Sequence, residues 1–198
     1  MRATQRVAPT SLLLVITALA GCGLFEPRTP QDPTESGGQF PPATDPRITI
    51  SNLQRSVDLK SVQYYIQCLS TPATDGRTFL FTPSSEGSAQ YASVFRSWGV
   101  AEEQAYFQNL SARTTSTSRS GLVLNEKTFF LNADSALAEY DYVLTFEHTD
   151  PTFPKAASGN LQFALIRNNS NVWTICRWSD FKTTSDPTWS LFKGKFSN

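Results

Sequence analysis

From residue 120 to residue 180 this chain repeats with a period of two, and that pattern narrows its possible folds more than anything else in it. Within residues 140–148, Tyr142, Leu144 and Phe146 form an apolar set, with Asp141, Thr145 and Glu147 between them. Within residues 159–167, Leu161, Phe163 and Leu165 repeat the arrangement. A repeat of two places alternate side chains on opposite faces of an extended strand. Four strands are therefore predicted, over 120–131, 140–148, 159–167 and 172–180, with Asn168-Asn169-Ser170-Asn171 as a turn. Consecutive strands joined by turns make an antiparallel meander.

Upstream of residue 120 the period changes. Ile50, Leu53 and Val57 fall on an i, i+3, i+7 stripe, which predicts an amphipathic helix over 47–59. A second helix runs from 62 to 69, with Asp58 or Ser61 as its cap, and Pro72 and Gly76 end it. Residues 78–82 read as a short strand stopped by Pro83. Residues 100–112 read as a third helix, with Glu102 and Glu103 in its first turn where the helix dipole favours them. Helices followed by a meander predict an α+β fold: a cone-shaped, curved antiparallel sheet with two to three N-terminal helices over its concave face. All four tryptophans and all six tyrosines lie in residues 47–198, about 150 residues, enough for one domain with a real core.

The domain begins only at residue 47 because what precedes it has another composition. Residues 23–46 hold six of the 12 prolines, together with Gly37-Gly38, and read as a flexible tether. As a random coil its reach is on the order of 25–30 Å. Before it stand Arg2, Arg6 and an apolar run from Leu12 to Ala20 that is far shorter than the roughly 20 residues of a membrane span. The run ends in Leu19-Ala20-Gly21-Cys22. This arrangement resembles a bacterial lipoprotein signal peptide, in which small residues precede an obligatory cysteine. The resemblance implies cleavage after Leu19, Ala20 and Gly21, lipidation of Cys22, and membrane attachment through it. Two or more acyl chains, each CH₂ contributing about 0.8 kcal/mol, would make that attachment stable. The expected location is the bacterial cell envelope. Gly23 stands where an Asp would signal retention, so the periplasmic face of the outer membrane is expected. Without residues 1–21 the chain carries 15 Lys and Arg against 17 Asp and Glu, a net charge of −2. The cations are scattered, which argues against a nucleic-acid partner.

The domain opens with Tyr64-Tyr65-Ile66-Gln67-Cys68-Leu69 before Phe79-Leu80-Phe81. It closes with Trp173-Thr174-Ile175-Cys176-Arg177-Trp178-Ser179-Asp180 and Thr188-Trp189-Ser190-Leu191-Phe192-Lys193-Gly194. These segments resemble the nuclear transport factor 2-like superfamily, and within it bacterial lipoproteins with a SnoaL-like domain. Phe192 departs from the usual Leu. The resemblance implies a cone enclosing a pocket. It implies no reaction, since that fold hosts enzymes, binding modules and dimerisation domains.

Strict alternation puts Trp173, Ile175 and Arg177 on one strand face and Cys176, Trp178 and Asp180 on the other. The candidate pocket comprises Tyr64, Phe81, Tyr142, Arg177, Trp178 and Asp180. In ketosteroid isomerase-like members a pocket carboxylate moves the proton, so Asp180 or Asp141 would be the shuttle here. The plainer reading makes Trp173 and Trp178 core, pairs Arg177 with an anion across the strands, and has Asp180 cap the following turn. His148 reads as a solvated strand-end residue rather than a general base beside Glu147 and Asp150. Cys68 and Cys176 could pair in an oxidising compartment or stay as two separately buried thiols. One His without clustered Cys or carboxylates cannot hold zinc, and no cofactor motif is present. The expected function is a non-catalytic, lipid-anchored module binding a small apolar ligand, a protein partner or a second copy of itself. The alternative is a small SnoaL or ketosteroid isomerase-like enzyme acting on an apolar substrate in the cone.

Overall fold

A computed structural model describes residues 40–197. The expected signal peptide, Cys22 and the expected tether up to residue 39 lie outside the described residues. Residues 40–46 were assigned to the tether by composition, yet they pack on the domain. Asn52 Nδ2 donates to the Pro41 carbonyl at 2.9 Å, and the Ala43 carbonyl accepts from Trp173 N at 2.7 Å. Helix α1 (Pro46–Asp58) then starts with Pro at its first turn, and the Asp45 carboxylate accepts from Arg47 N. Its Ile50, Leu53 and Val57 stripe is buried. Each such side chain contributes roughly 1.5–3 kcal/mol by leaving water.

Helix α2 (Val62–Gln67) and the single-turn α3 (Pro72–Asp75) precede a three-residue strand β1 (Leu80–Thr82). Helix α4 (Ser85–Gln90), a 3₁₀ turn at Phe95–Ser97 and helix α5 (Val100–Ala112) follow. The meander comprises β2 (Ser120–Leu131), β3 (Ser135–Phe146), β4 (Ala156–Arg167) and β5 (Trp173–Phe181). Helix α6 (Trp189–Phe196) closes the described chain. The sheet order is β1-β5-β4-β3-β2. The meander is antiparallel as predicted, but β1 joins β5 in parallel, so the sheet is mixed. No helix among the described residues is long and apolar enough to cross a membrane.

Two bulges curve the sheet. Lys127 is the extra residue where β2 meets β3, and Cys176 is the extra residue where β5 meets β4. An inserted residue bends its strand and strengthens the local twist. It also resets which side chains face inward. Trp173 and Ile175 point to the concave side, Cys176 absorbs the step, and Trp178 and Asp180 point inward as well. Strict alternation had separated Trp173 from Trp178, and the bulge is why that assignment fails.

Candidate functional site

The cone interior is built around α6, an element the sequence reading left unassigned. Trp189, Phe192 and Phe196 of this helix have no exposure. The helix lies close enough to the Tyr91 ring that a Cβ on Gly194 would sit 2.3 Å from it. Glycine is therefore required there by close approach.

Two carboxylates inside the cone hold the helices to the sheet. Glu103, from α5, accepts from Tyr65 OH and Trp98 Nε1, each at 2.9 Å, and from the Lys193 ammonium. Glu103 and Lys193 are both fully buried. Asp180, from β5, accepts from Tyr142 OH at 2.9 Å, Ser190 N at 2.7 Å and Ser190 Oγ. Tyr142 OH in turn accepts from Trp189 N at 2.7 Å, and Trp189 Nε1 donates to Tyr106 OH at 2.8 Å. Burial pushes the Asp180 carboxyl above its ordinary range against the pull of these donors. It pushes the Lys193 ammonium down to about 8. Tyr65, Tyr106 and Tyr142 are held well above the usual phenol value, first by burial and then by the neighbouring carboxylates.

Of the six expected pocket residues, the structure brings Phe81, Tyr142, Trp178 and Asp180 together in this interior. Trp178 packs edge-on against Trp189 with ring centroids 4.6 Å apart. Asp180 is 1% exposed, and its acceptor positions are engaged with Ser190 and Tyr142, so it braces α6. The other two fall elsewhere. Arg177 is exposed on the outer face of the sheet, because the Cys176 bulge separates it from the inward set, and it forms no ion pair among the described residues. Tyr64 lies on the outer side of α2, stacked on Phe40 with centroids 3.7 Å apart. It lines an open groove of about 490 Å³ between α1, α2 and the β4–β5 turn. Asp141 also faces outward, with its carboxylate near Asn160 and Lys127.

His148 is buried rather than solvated. Its Nε2 donates to the Pro154 carbonyl at 2.9 Å and its Nδ1 accepts from Lys155 Nζ at 3.1 Å, a pairing that requires the neutral ring. Burial and the Lys155 charge lower its basicity, and Phe153, Phe192 and Phe196 surround it. Cys68 and Cys176 are both free, so the bridge left open by the sequence is not formed. Cys68 donates to the Tyr64 carbonyl and Cys176 to the Ala164 carbonyl. Burial pushes the Cys68 thiol up to about 12, which makes it unreactive.

The outer face of the sheet has the opposite character. Phe130 is 65% exposed and Leu137, directly across the β2–β3 ladder from it, is 59% exposed. Leu80, Val123, Val143 and Phe181 are also exposed, and Glu139, Asp141 and Lys127 lie between the Phe130–Leu137 pair and the Val123–Val143 pair. Between Phe130, Leu137, Gln162 and Arg177 lies a hollow of about 310 Å³.

No protein-family model matches this chain, and no curated protein sequence does. Solved structures do. A conserved protein from Planctomyces limnophilus aligns with a TM-score of 0.52 at 10% identity, covering 68% of this chain and 91% of its own. A function-unknown protein from Mycobacterium tuberculosis aligns at 0.51 and 11%, covering 76% and 90%. A nuclear transport factor 2 (NTF2-like) superfamily protein from Salmonella enterica serovar Typhimurium aligns at 0.49 and 15%, covering 71% and 87%. At such identities the likeness is one of fold alone. The fold, a curved mixed sheet with helices over its concave face, is the one shared with the first two of these structures.

Proposed function

We propose that residues 47–198 are the head of a lipid-anchored cell-envelope protein, a non-catalytic module of the SnoaL-like lipoprotein kind that pairs through the outer face of its sheet. The observation that carries this reading is the pair of exposed apolar cross-strand contacts on the outer face, Phe130 with Leu137 and Val123 with Val143, which flank the charged cluster of Lys127, Glu139 and Asp141. Exposed apolar patches rimmed by polar residues mark an interaction site, and a strand face that two copies share forms a self-complementary contact about a two-fold axis. The enzyme alternative needs an inward carboxylate open to a substrate. Asp180 is inward but sealed, and its donors serve the packing of α6.

Two experiments test the reading. The chain from residue 22 with Cys22→Ala sediments as a dimer at micromolar concentration. Adding Leu137→Arg and Val143→Arg returns it to a monomer while folding stability stays within about 0.5 kcal/mol, as expected for exposed positions. A parent chain that sediments as a monomer at all concentrations removes the self-pairing. Separately, Cys22→Ala in the full chain moves the protein from the membrane to the soluble envelope fraction. Unchanged fractionation counts against the lipid anchor.

A further inference from the structure

The surroundings of Lys193 amount to a receptor for an ammonium ion. A lysine ammonium has three donors. One meets Glu103 Oε1, and Lys193 Nζ has no other hydrogen-bonding partner among the described residues. What remains of the charge faces aromatic rings: Nζ lies 3.7 Å from the centroid of Phe81, 3.7 Å from that of Trp178 and 5.9 Å from that of Trp189. A carboxylate on one side and π faces on the others is how proteins bind organic cations. Tyr65 OH donates to Glu103 Oε2 and Trp98 Nε1 to Oε1, the oxygen that also meets the ammonium, so the carboxylate is fixed from both oxygens.

We propose that the interior of the cone is a binding site for primary alkylammonium ions and that Lys193 is its built-in ligand, delivered by α6. The sequence supports this assignment in one further way. The run Trp189-Ser190-Leu191-Phe192-Lys193-Gly194-Lys195-Phe196 is buried almost all round, and a cation at its centre is tolerable only where a site awaits it. The inference is independent of pairing through the outer face, because the two regions lie on opposite sides of the sheet.

Lys193→Ala keeps Cβ and removes three carbons and the nitrogen, which is the outline of n-propylammonium. The experiment compares thermal melts of Lys193→Ala, in the mature-length chain with Cys22→Ala, in propylammonium chloride, sodium chloride and 1-propanol. At about ten times its dissociation constant, propylammonium raises the melting temperature of the variant by about 3–6 °C. Neither 1-propanol nor sodium chloride does so, and the chain that retains Lys193 is unmoved. Adding Glu103→Gln abolishes the gain. Should Lys193→Ala fail to fold in sodium chloride, refolding in propylammonium but not in 1-propanol carries the same meaning. Equal behaviour of the variant in the three solutions, folded or unfolded, overturns the proposal. So does an equal shift in the chain that retains Lys193.

Discussion

Glu103→Ala is expected to cost about 3–5 kcal/mol of folding stability, a large part of the roughly 5–15 kcal/mol that a domain of this size has in total. The substitution strands the Lys193 ammonium in an aromatic interior and leaves Tyr65 OH and Trp98 Nε1 without an acceptor. Chemical denaturation at fixed pH reads the loss. The pH dependence identifies its cause. Lys193 is already brought down to about 8 by burial, against the attraction of Glu103. An unfolded lysine holds its proton to about pH 10.4. Between those values the unfolded chain binds a proton that the folded chain has released, so stability rises with pH. Above about pH 10 the sign reverses. Tyr65, Tyr106 and Tyr142 keep their phenolic protons while the unfolded chain loses them. Without Glu103 the rise starts at lower pH and is larger. Glu103→Gln with Lys193→Met removes both charges, and its cost falls below that of Glu103→Ala because no buried charge is left alone. A Glu103→Ala protein with the alkaline profile of the parent would show that Glu103 is not the counter-charge of Lys193.

The sequence foretold those parts of the fold where one side-chain period governs a whole element. Helix α5 and strand β2 occupy the predicted ranges, since each has a single face to bury. Strand β3 starts five residues earlier than predicted. Its first half, Ser135-Ala136-Leu137-Ala138-Glu139, buries only alanines, and its Leu points outward, so the apolar alternation is inverted there. Helix α6 was missed for a related reason. With Trp189, Leu191, Phe192 and Phe196 spread around the axis it has no amphipathic stripe to detect. The parallel pairing of β1 comes from tertiary contact across nearly a hundred residues, with Phe81 opposite Trp178, and nothing local announces it.

The candidate site divides along the same line. Tyr142 and Phe81, expected in the pocket, are buried, each in a strand with undisturbed alternation. Asp180 and Trp178 were rightly put on one face, but Trp173 and Ile175 join them there, and only the unpaired Cys176 makes that possible. The partners of these residues were invisible. Glu103 read as a first-turn acid favoured by the dipole and Lys193 as one letter of a terminal motif. Their separation of 90 positions hides the pair. The signal that could have exposed it is Lys193 itself, a cation inside a run too apolar to face water. His148 was misplaced because its strand-end position suggested exposure, whereas Phe153, Phe192 and Phe196 arrive from two later segments to cover it.

Asp180→Ala is the second large effect, expected at about 3–4 kcal/mol, because it removes the acceptor of the Ser190 amide in the first turn of α6 and the partner of the Tyr142 hydroxyl, which accepts from the Trp189 amide. Thr188, at the N-cap position, makes no side-chain bond to the helix, so the first turn takes its acceptors from Asp180 of β5 and Tyr142 of β3 instead. The Asp180 carboxylate receives the Ser190 amide and hydroxyl and the Tyr142 hydroxyl, and its charge lies at the positive end of the helix dipole. Tyr142 and Ser190 also hold Trp189 N and Ser84 N, so the loss spreads to α4. Asp180→Asn keeps the shape and one acceptor, and is expected to cost about half as much. The two variants share a change in pH dependence. Burial holds the folded carboxyl above its ordinary range, so on acidification the folded chain takes up this proton before the unfolded chain does. This single group therefore favours folding as pH falls from its folded value towards the ordinary carboxylate value, and both variants lose that contribution. On acidification towards the ordinary carboxylate value, stability thus declines more steeply in the variants than in the parent. If Asp180→Ala melts within 1 °C of the parent and its acid limb is unchanged, α6 is held by its aromatic side chains alone and the cap is incidental.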